Sequence, residues 1–333
     1  MKAAVLHAAG DLRIEERAAP SPGPREVLVE IALVGVCGSD VHYYEHGRVG
    51  TRVVRAPHVL GHEASGRVVA LGEGATTHAA GDRVAIEPGV PCGRCRECRG
   101  GSYNLCRDVA FLGAPPTDGA FTRYVAIHED FAFALPLEVS DAAGALIEPL
   151  AVGGWACRRA GVTAGDRVLV TGAGPIGLLA AQVARASGAT EVTVTDVNER
   201  RLEMALRVGA TRAVRPGSAV GEADALLECS GNAEALAAGL RALRPDGRAV
   251  VVGMGYGEET AVPLALLQGR ELWLTGTFRY ANAYPAAIAL AASGRVDLEA
   301  IVTGRVPLED VESALRAGRE DPASVKVLVA LGA

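Results

Sequence analysis

The sequence predicts an α/β protein of two domains, a β-rich first part followed by a doubly wound parallel sheet. Three observations predict this. Short β segments broken by Gly and Pro fill the chain up to about residue 140, and strands and helices alternate from Arg167 onward. The turn Gly172-Ala-Gly174-Pro175-Ile176-Gly177 joins one of those strands to a helix. With 333 residues the chain is also longer than one core comfortably serves.

In order along the chain, Ala3 to Leu6 and Leu12 to Glu16 read as short strands, followed by a turn rich in Pro20, Pro22, Gly23 and Pro24. Glu26 to Val36 reads as a long strand with Cys37 at its end. Val53 to Leu71 and Arg83 to Ile86 continue as β segments interrupted by Gly72, Gly74 and Gly81-Asp82. Ser140 is a helix cap before Asp141-Ala-Ala-Gly-Ala-Leu-Ile, and Pro149 suits the first turn of a following helix. Glu148 therefore falls at the junction of two helical pieces.

The second part reads as strands at Val168–Thr171, Glu191–Thr195, Ala225–Cys229, Arg248–Val252 and Glu271–Phe278, with helices at Pro175–Ser187 and Glu199–Val208. Between Gly209 and Ala225 there is little room for a helix, so one crossover is expected to be abbreviated. A helix at Pro285–Ala292, a strand around Ile301-Val302 and a helix at Val311–Arg316 close the chain. The expected domains are 1–150, 151–278 and a return to the first domain over 279–333.

Composition excludes several function classes. Hydrophobic residues at 49% and charged ones at 22% are those of a globular protein. A net charge of −6 without a long basic run argues against nucleic acid, whose phosphates demand a cationic surface. No uncharged apolar run approaches the ~18 residues of a membrane span, and the first ten residues read as a strand and not as a signal peptide. Seven cysteines, four of them crowded together, point to metal and a reducing cytoplasm.

That crowd is Cys92-x2-Cys95-x2-Cys98-x7-Cys106, in a loop with Gly93, Gly100, Gly101 and several arginines over about 90–107. Its apolar content is too low to fold alone. Four thiolates on one zinc leave no open position, so the site is expected to be structural, with binding on the scale of roughly 10–16 kcal/mol. Cys157 and Cys229 lie in apolar segments and read as buried thiols.

In the Gly172–Gly177 turn the glycines permit a tight bend, close approach of a pyrophosphate and close helix packing, while the helix N-terminus presents amide donors. Asp196, at the end of the next strand, suits the hydroxyls of an adenosine ribose. A 2′-phosphate there would meet a like charge, on the order of 4 kcal/mol per pair at close range. NAD is favoured over NADP, a preference softened by Arg200 and Arg201.

Cys37, His62-Glu63 and Glu148 together offer a thiolate, an imidazole and a choice of carboxylates, the ligand set of an open catalytic zinc site. Which of the two glutamates ligates is left open by the residues alone. Hydride leaves an alkoxide far more readily than an alcohol. Zinc brings bound water from pKa ~16 to about 7, and a similar shift on an alcohol is worth roughly 12 kcal/mol.

The motifs Cys37-Gly-Ser-Asp-Val-His-Tyr-Tyr-Glu-His, Gly61-His-Glu-Ala-Ser-Gly, Ala145-Leu-Ile-Glu-Pro-Leu and Thr277-Phe-Arg-Tyr resemble the zinc-dependent medium-chain dehydrogenases, in the sorbitol (L-iditol 2-) and xylitol dehydrogenase branch. The similarity runs through nearly the whole chain. It implies a GroES-like catalytic domain, a Rossmann domain, two zinc ions per chain and oxidation of a polyol to a ketose with NAD, in a cytoplasmic homotetramer. It further implies that Cys37, His62 and Glu63 bind the metal with Glu148 on its water, the choice of carboxylate remaining open, that Asp40 orients His62, that Ser39 passes the released proton toward His42 or water, and that Tyr43, Glu148, Arg279 and Tyr280 meet substrate. Val252, Gly253, Met254, Thr277, Phe278 and Arg279 would line the cofactor. Rivals are a 2,3-butanediol, other secondary-alcohol or L-threonine dehydrogenase and, outside the class, a non-catalytic NAD-binding protein.

Overall fold

The computed structural model describes residues 1–257 and 259–331. They form two compact units: Met1–Glu148 with the chain from Val302 onward, and Pro149–Ile301.

In the first unit the strand Glu26–Gly35 is the axis of a seven-stranded sheet. Its alternate residues Val27, Val29 and Ile31 are buried, as the period of two demands. Antiparallel to it run Glu63–Leu71, Tyr124–His128 and Lys326–Ala330. Arg83–Ile86 and Ala132–Ala134 extend one side, and Val302–Pro307 pairs parallel to Lys326–Ala330. The core joins Val27, Val29, Ile31, Val68, Ile86 and Phe121, each worth roughly 1.5–3 kcal/mol when fully buried.

Gly35 pairs with both Glu63 and Leu328, so three strands deliver their residues to one place. Glycine is required there: a Cβ on Gly35 would lie 2.1 Å from Glu63 Oε2. Just beyond, the helix Gly38–His46 begins, with Asp40 Oδ2 accepting from the Cys37 amide at 3.0 Å. Gly47, at φ 67°, ends it with its N–H on Tyr43 O. Ser140 caps the short helix Asp141–Ala145 through the Ala143 amide. A second helix, Ile147–Ala160, follows, so Glu148 does sit where two helices meet.

The second unit holds six parallel strands in the order Arg212–Val214, Glu191–Thr195, Arg167–Thr171, Ala223–Glu228, Leu243–Val251, Trp273–Gly276. Counted from Arg167, that is the 3-2-1-4-5-6 order of the doubly wound dinucleotide fold. The abbreviated crossover is present, since among the described residues no helix forms between Val214 and Ala223.

The expected return at residue 279 is corrected to Val302, and the first boundary to 148/149. The reason is a set of tethers to the helix Pro175–Ala186. The Asp297 amide donates to Gln182 Oε1 at 2.6 Å, Gln182 Nε2 donates to Asp297 O at 3.1 Å, and Arg295 donates to Ala186 O. The segment 279–301, helix Tyr284–Ala292 included, thus stays with the parallel sheet.

Candidate active site

The strand ends of the first unit bring Cys37, His62 and Glu63 together, one donor atom from each within 4.8 Å of the others. His62 and Glu63 are buried and Cys37 half-buried. A soft sulfur, an imidazole and a carboxylate at this spacing fit zinc, whose ligands stand about 2.0–2.3 Å from the ion. Asp40, fully buried, accepts from the Cys37 and Gly61 amides at 3.0 Å each. It thereby ties together the two loops that carry the candidate ligands. Its Oδ1 stands 3.6 Å from His62 Nδ1, an ion-pair separation too long for a hydrogen bond. Burial opposes a charged His62, yet Asp40 and Cys37 outweigh it and hold the imidazole well above its ordinary value.

Glu63 has a partner that sequence reasoning missed. Lys326 Nζ donates to both of its oxygens, at 2.8 and 2.7 Å, and to the Val36 carbonyl at 2.8 Å. Both side chains are 2% exposed or less. Burial works against the Lys326 charge, but Glu63, then Cys37, raise the ammonium overall. One lysine from the C-terminal strand therefore staples the two strand ends that carry the candidate ligands. The signal available was a lone Lys opening the apolar run Lys326-Val-Leu-Val-Ala, a residue that must find an anion if buried.

Glu148 is buried beside this cluster without joining it: the three-residue donor group does not include it. Its charge reaches Lys326 and Glu87. Glu87 is itself buried and accepts from the Tyr103 hydroxyl at 2.7 Å. Burial, reinforced by Glu148, pushes the Glu87 carboxyl up to about 7 against the opposing Tyr103 bond. A folded-state value above the unfolded one means the stabilising protonated form is complete below pH ~4.5 and is lost as pH rises through 7. Glu87→Gln is therefore expected to flatten the stability profile, gaining about 3 kcal/mol over the wild type above pH 7. Urea unfolding at pH 5 and pH 8 measures it, and parallel profiles for the two proteins would refute it.

Of the other expected groups, Ser39 is half-buried on the Gly38–His46 helix and His42 is exposed there, its ring 5.7 Å from that of His46. Tyr43 is packed into the core at 3% exposure. In the second unit Tyr280 is equally buried against Tyr284, while Arg279 (φ 55°) lies over the exposed Phe278 ring.

The Cys92, Cys95, Cys98 and Cys106 sulfurs also lie within 4.8 Å of one another, and all four thiols are free. Tetrahedral zinc with Zn–S near 2.3 Å needs sulfurs about 3.8 Å apart, so the lobe fits a closed zinc site. Tyr103, the partner of Glu87, sits between Cys98 and Cys106, so the lobe is hydrogen-bonded to the neighbourhood of Glu148. Cys157 is buried, and burial pushes its thiol up to about 12; Cys229 is raised well above the ordinary range, again chiefly by burial.

The nucleotide loop has room where a phosphate must approach and none where the backbone must close. A Cβ on Gly174, the N-cap of the helix Pro175–Ala186, would meet nothing within 4 Å. On Gly177 it would stand 1.8 Å from Gly172 O, and on Gly172 (φ 90°) 2.9 Å from Ser230 Cα. That arrangement fits a dinucleotide on the helix N-terminus. Gly177→Ala is expected to weaken NAD binding roughly tenfold or more by forcing the helix off the strand, as read from a fluorescence titration. Asp196 accepts from the Ala173 and Asn198 amides at 2.7 and 2.8 Å, which fixes its carboxylate beside the loop. Arg201 lies in the first turn of the helix Glu199–Arg207, where its amide donates to the Asn198 cap.

Residues 23–137 match the alcohol dehydrogenase GroES-like domain and residues 175–293 the zinc-binding dehydrogenase domain. The chain is 46% identical to sorbitol dehydrogenase of Gallus gallus over 320 residues, covering 92% of this chain and 90% of that one. It belongs to the sorbitol dehydrogenase branch of the zinc-dependent medium-chain dehydrogenases. Sorbitol dehydrogenase of Bacillus subtilis is 41% identical, with 95% of this chain and 92% of that one covered. L-Idonate 5-dehydrogenase of Escherichia coli superposes with a TM-score of 0.93 at 32% identity, covering 99% and 98% of the two chains. Within this sorbitol dehydrogenase branch the chain keeps both metal-fitting clusters and the dinucleotide turn. No helix among its described residues is long and apolar enough to cross a membrane.

Proposed function

We propose that the protein oxidises a polyol of the sorbitol, xylitol or L-iditol type to the ketose with NAD. The observation that carries this reading is the convergent Cys37–His62–Glu63 donor set in a chain 46% identical to a sorbitol dehydrogenase. Zinc held there supplies Lewis acidity toward a hydroxyl oxygen, and an oxidised nicotinamide supplies the hydride acceptor. The chain's own residues do the rest. Cys37 and Glu63 contribute negative charge that holds the cation, and Asp40 keeps their loops in register. Glu148 receives the substrate hydroxyl or its water, and Ser39 hands the released proton outward along its helix. Asp196 accepts from the adenosine ribose and disfavours a 2′-phosphate. A cytoplasmic homotetramer is the assembly this reading carries.

The test is NAD reduction with sorbitol, xylitol, L-iditol, galactitol, 2,3-butanediol and threonine, with and without chelator. Polyols are expected to be turned over and activity to vanish with zinc. Activity that survives full zinc removal would sink the mechanism, and turnover of threonine or butanediol alone would move the protein to a neighbouring branch.

A further inference from the structure

Glu228 is a fully buried carboxylate at the carboxyl end of the strand Ala223–Glu228, and no catalytic role accounts for it. Among the described residues its hydrogen-bond donors are all uncharged. Glu228 Oε1 accepts from the Ser230 amide at 2.8 Å, the Gly231 amide at 3.1 Å, Thr171 Oγ1 at 3.3 Å and the Ser230 hydroxyl. The Gly231 amide also reaches Oε2 at 3.2 Å. A buried carboxylate without a cation is costly and persists where hydrogen bonds to it organise something else.

What it organises is the meeting of three strand ends. Thr171 closes the strand before the glycine turn. The Glu228 carbonyl takes the Val252 and Gly253 amides, both at 2.8 Å, from the end of the strand Leu243–Val251. The loops touch through bare backbone: a Cβ on Gly253 would lie 2.2 Å from the Gly231 nitrogen, and one on Gly231 (φ 67°) 1.8 Å from Met254 O. Gly172 packs in the same way on Ser230. The side chain therefore ties 171 to 229–231, and 252–254 follows through its backbone packing on Gly231 and its bonds to the Glu228 carbonyl, at the switch point where open α/β sheets bind ligands.

We infer that Glu228 is a positioning residue for the nicotinamide half of the dinucleotide, its side chain holding the 229–231 loop, on which 252–254 packs, where that half requires it. The inference rests on the NAD reading above. The adenosine half is served by a different carboxylate, Asp196, on the strand to the other side, so the two halves respond separately.

The experiment measures NAD and AMP binding by calorimetry on the zinc-loaded wild type, Glu228→Gln and Thr171→Val. Gln keeps the side chain's length but presents an NH2 where an acceptor stands. Glu228→Gln is expected to weaken NAD about tenfold, the worth of one charge-assisted hydrogen bond, to raise the KM for NAD more than it lowers kcat, and to leave AMP binding unchanged. Thr171→Val is expected to shift NAD in the same direction by about threefold, and it decides the matter should Glu228→Gln not fold. Equal loss of NAD and AMP, or unchanged NAD affinity in the variant that folds, overturns the inference. A wild type that binds no NAD would instead overturn the functional reading.

Discussion

Replacing Cys37 by Ala is expected to abolish polyol oxidation while leaving NAD affinity within about twofold of the wild type. The sulfur is the one soft donor in the Cys37–His62–Glu63 set, and without it two donors remain for a metal that takes three protein ligands in its catalytic sites. Zinc content should fall from two ions per chain to one, because the four-cysteine lobe has its own complete set of sulfurs. If zinc supplies even half of the roughly 12 kcal/mol available from acidifying a hydroxyl, turnover drops by about 10⁴-fold. The nucleotide turn lies in a separately packed unit, with its glycines set against Ser230 and Gly172, so its geometry does not depend on Cys37. Metal analysis, NAD titration and a sorbitol assay on one preparation check all three statements. Residual activity above about 1% of wild type, or zinc retained at two per chain, would place the chemistry elsewhere.

Much of this arrangement was legible because local and global signals agree. Glu191–Thr195, with β-branched residues alternating through it, and Arg83–Ile86, with its short apolar run, are bounded by turn residues, and both fold as read. The cysteine lobe and the glycine turn are legible because their chemistry fixes spacing along the chain. What stayed hidden depends on distance through space. Lys326 lies 263 positions from Glu63, and its place at the start of an apolar run marks it as a candidate for burial without naming the anion it meets. Glu228 closes the apolar run Ala223–Glu228 as any polar strand end would; its importance comes from the loops it gathers. The boundary at residue 302 was missed for a similar reason. A Gln182–Asp297 pair of hydrogen bonds holds 279–301 to the parallel sheet, and no composition change marks that tether. The burial of Tyr43 is hidden in the same way: the motif places it on the helix after Cys37 but does not say which face it takes.

The second large effect is expected at Lys326, and it separates the two glutamates that compete for the metal. Lys326→Met leaves the Glu63 carboxylate buried at 1% exposure without its counter-ion, a loss of roughly 3–5 kcal/mol for breaking a buried pair. Methionine fills a similar volume, so packing contributes little to the change. Where zinc is bound through Glu63, the ion replaces the missing cation and the penalty shrinks. Where Glu63 stands off and Glu148 serves instead, zinc offers no such relief. Urea unfolding of Lys326→Met is therefore compared in two backgrounds, the zinc-loaded wild type and Cys37→Ala, which lacks the catalytic ion but keeps the structural one. The expected result is a substantially smaller destabilisation in the zinc-loaded background, with tighter zinc retention against chelator as its thermodynamic counterpart. Adding Glu63→Leu to the Cys37→Ala, Lys326→Met protein should recover most of the stability, since an apolar pair replaces an orphaned charge. Equal losses in both backgrounds would mean that Glu63 belongs to Lys326 alone, and would hand the third ligand position to Glu148.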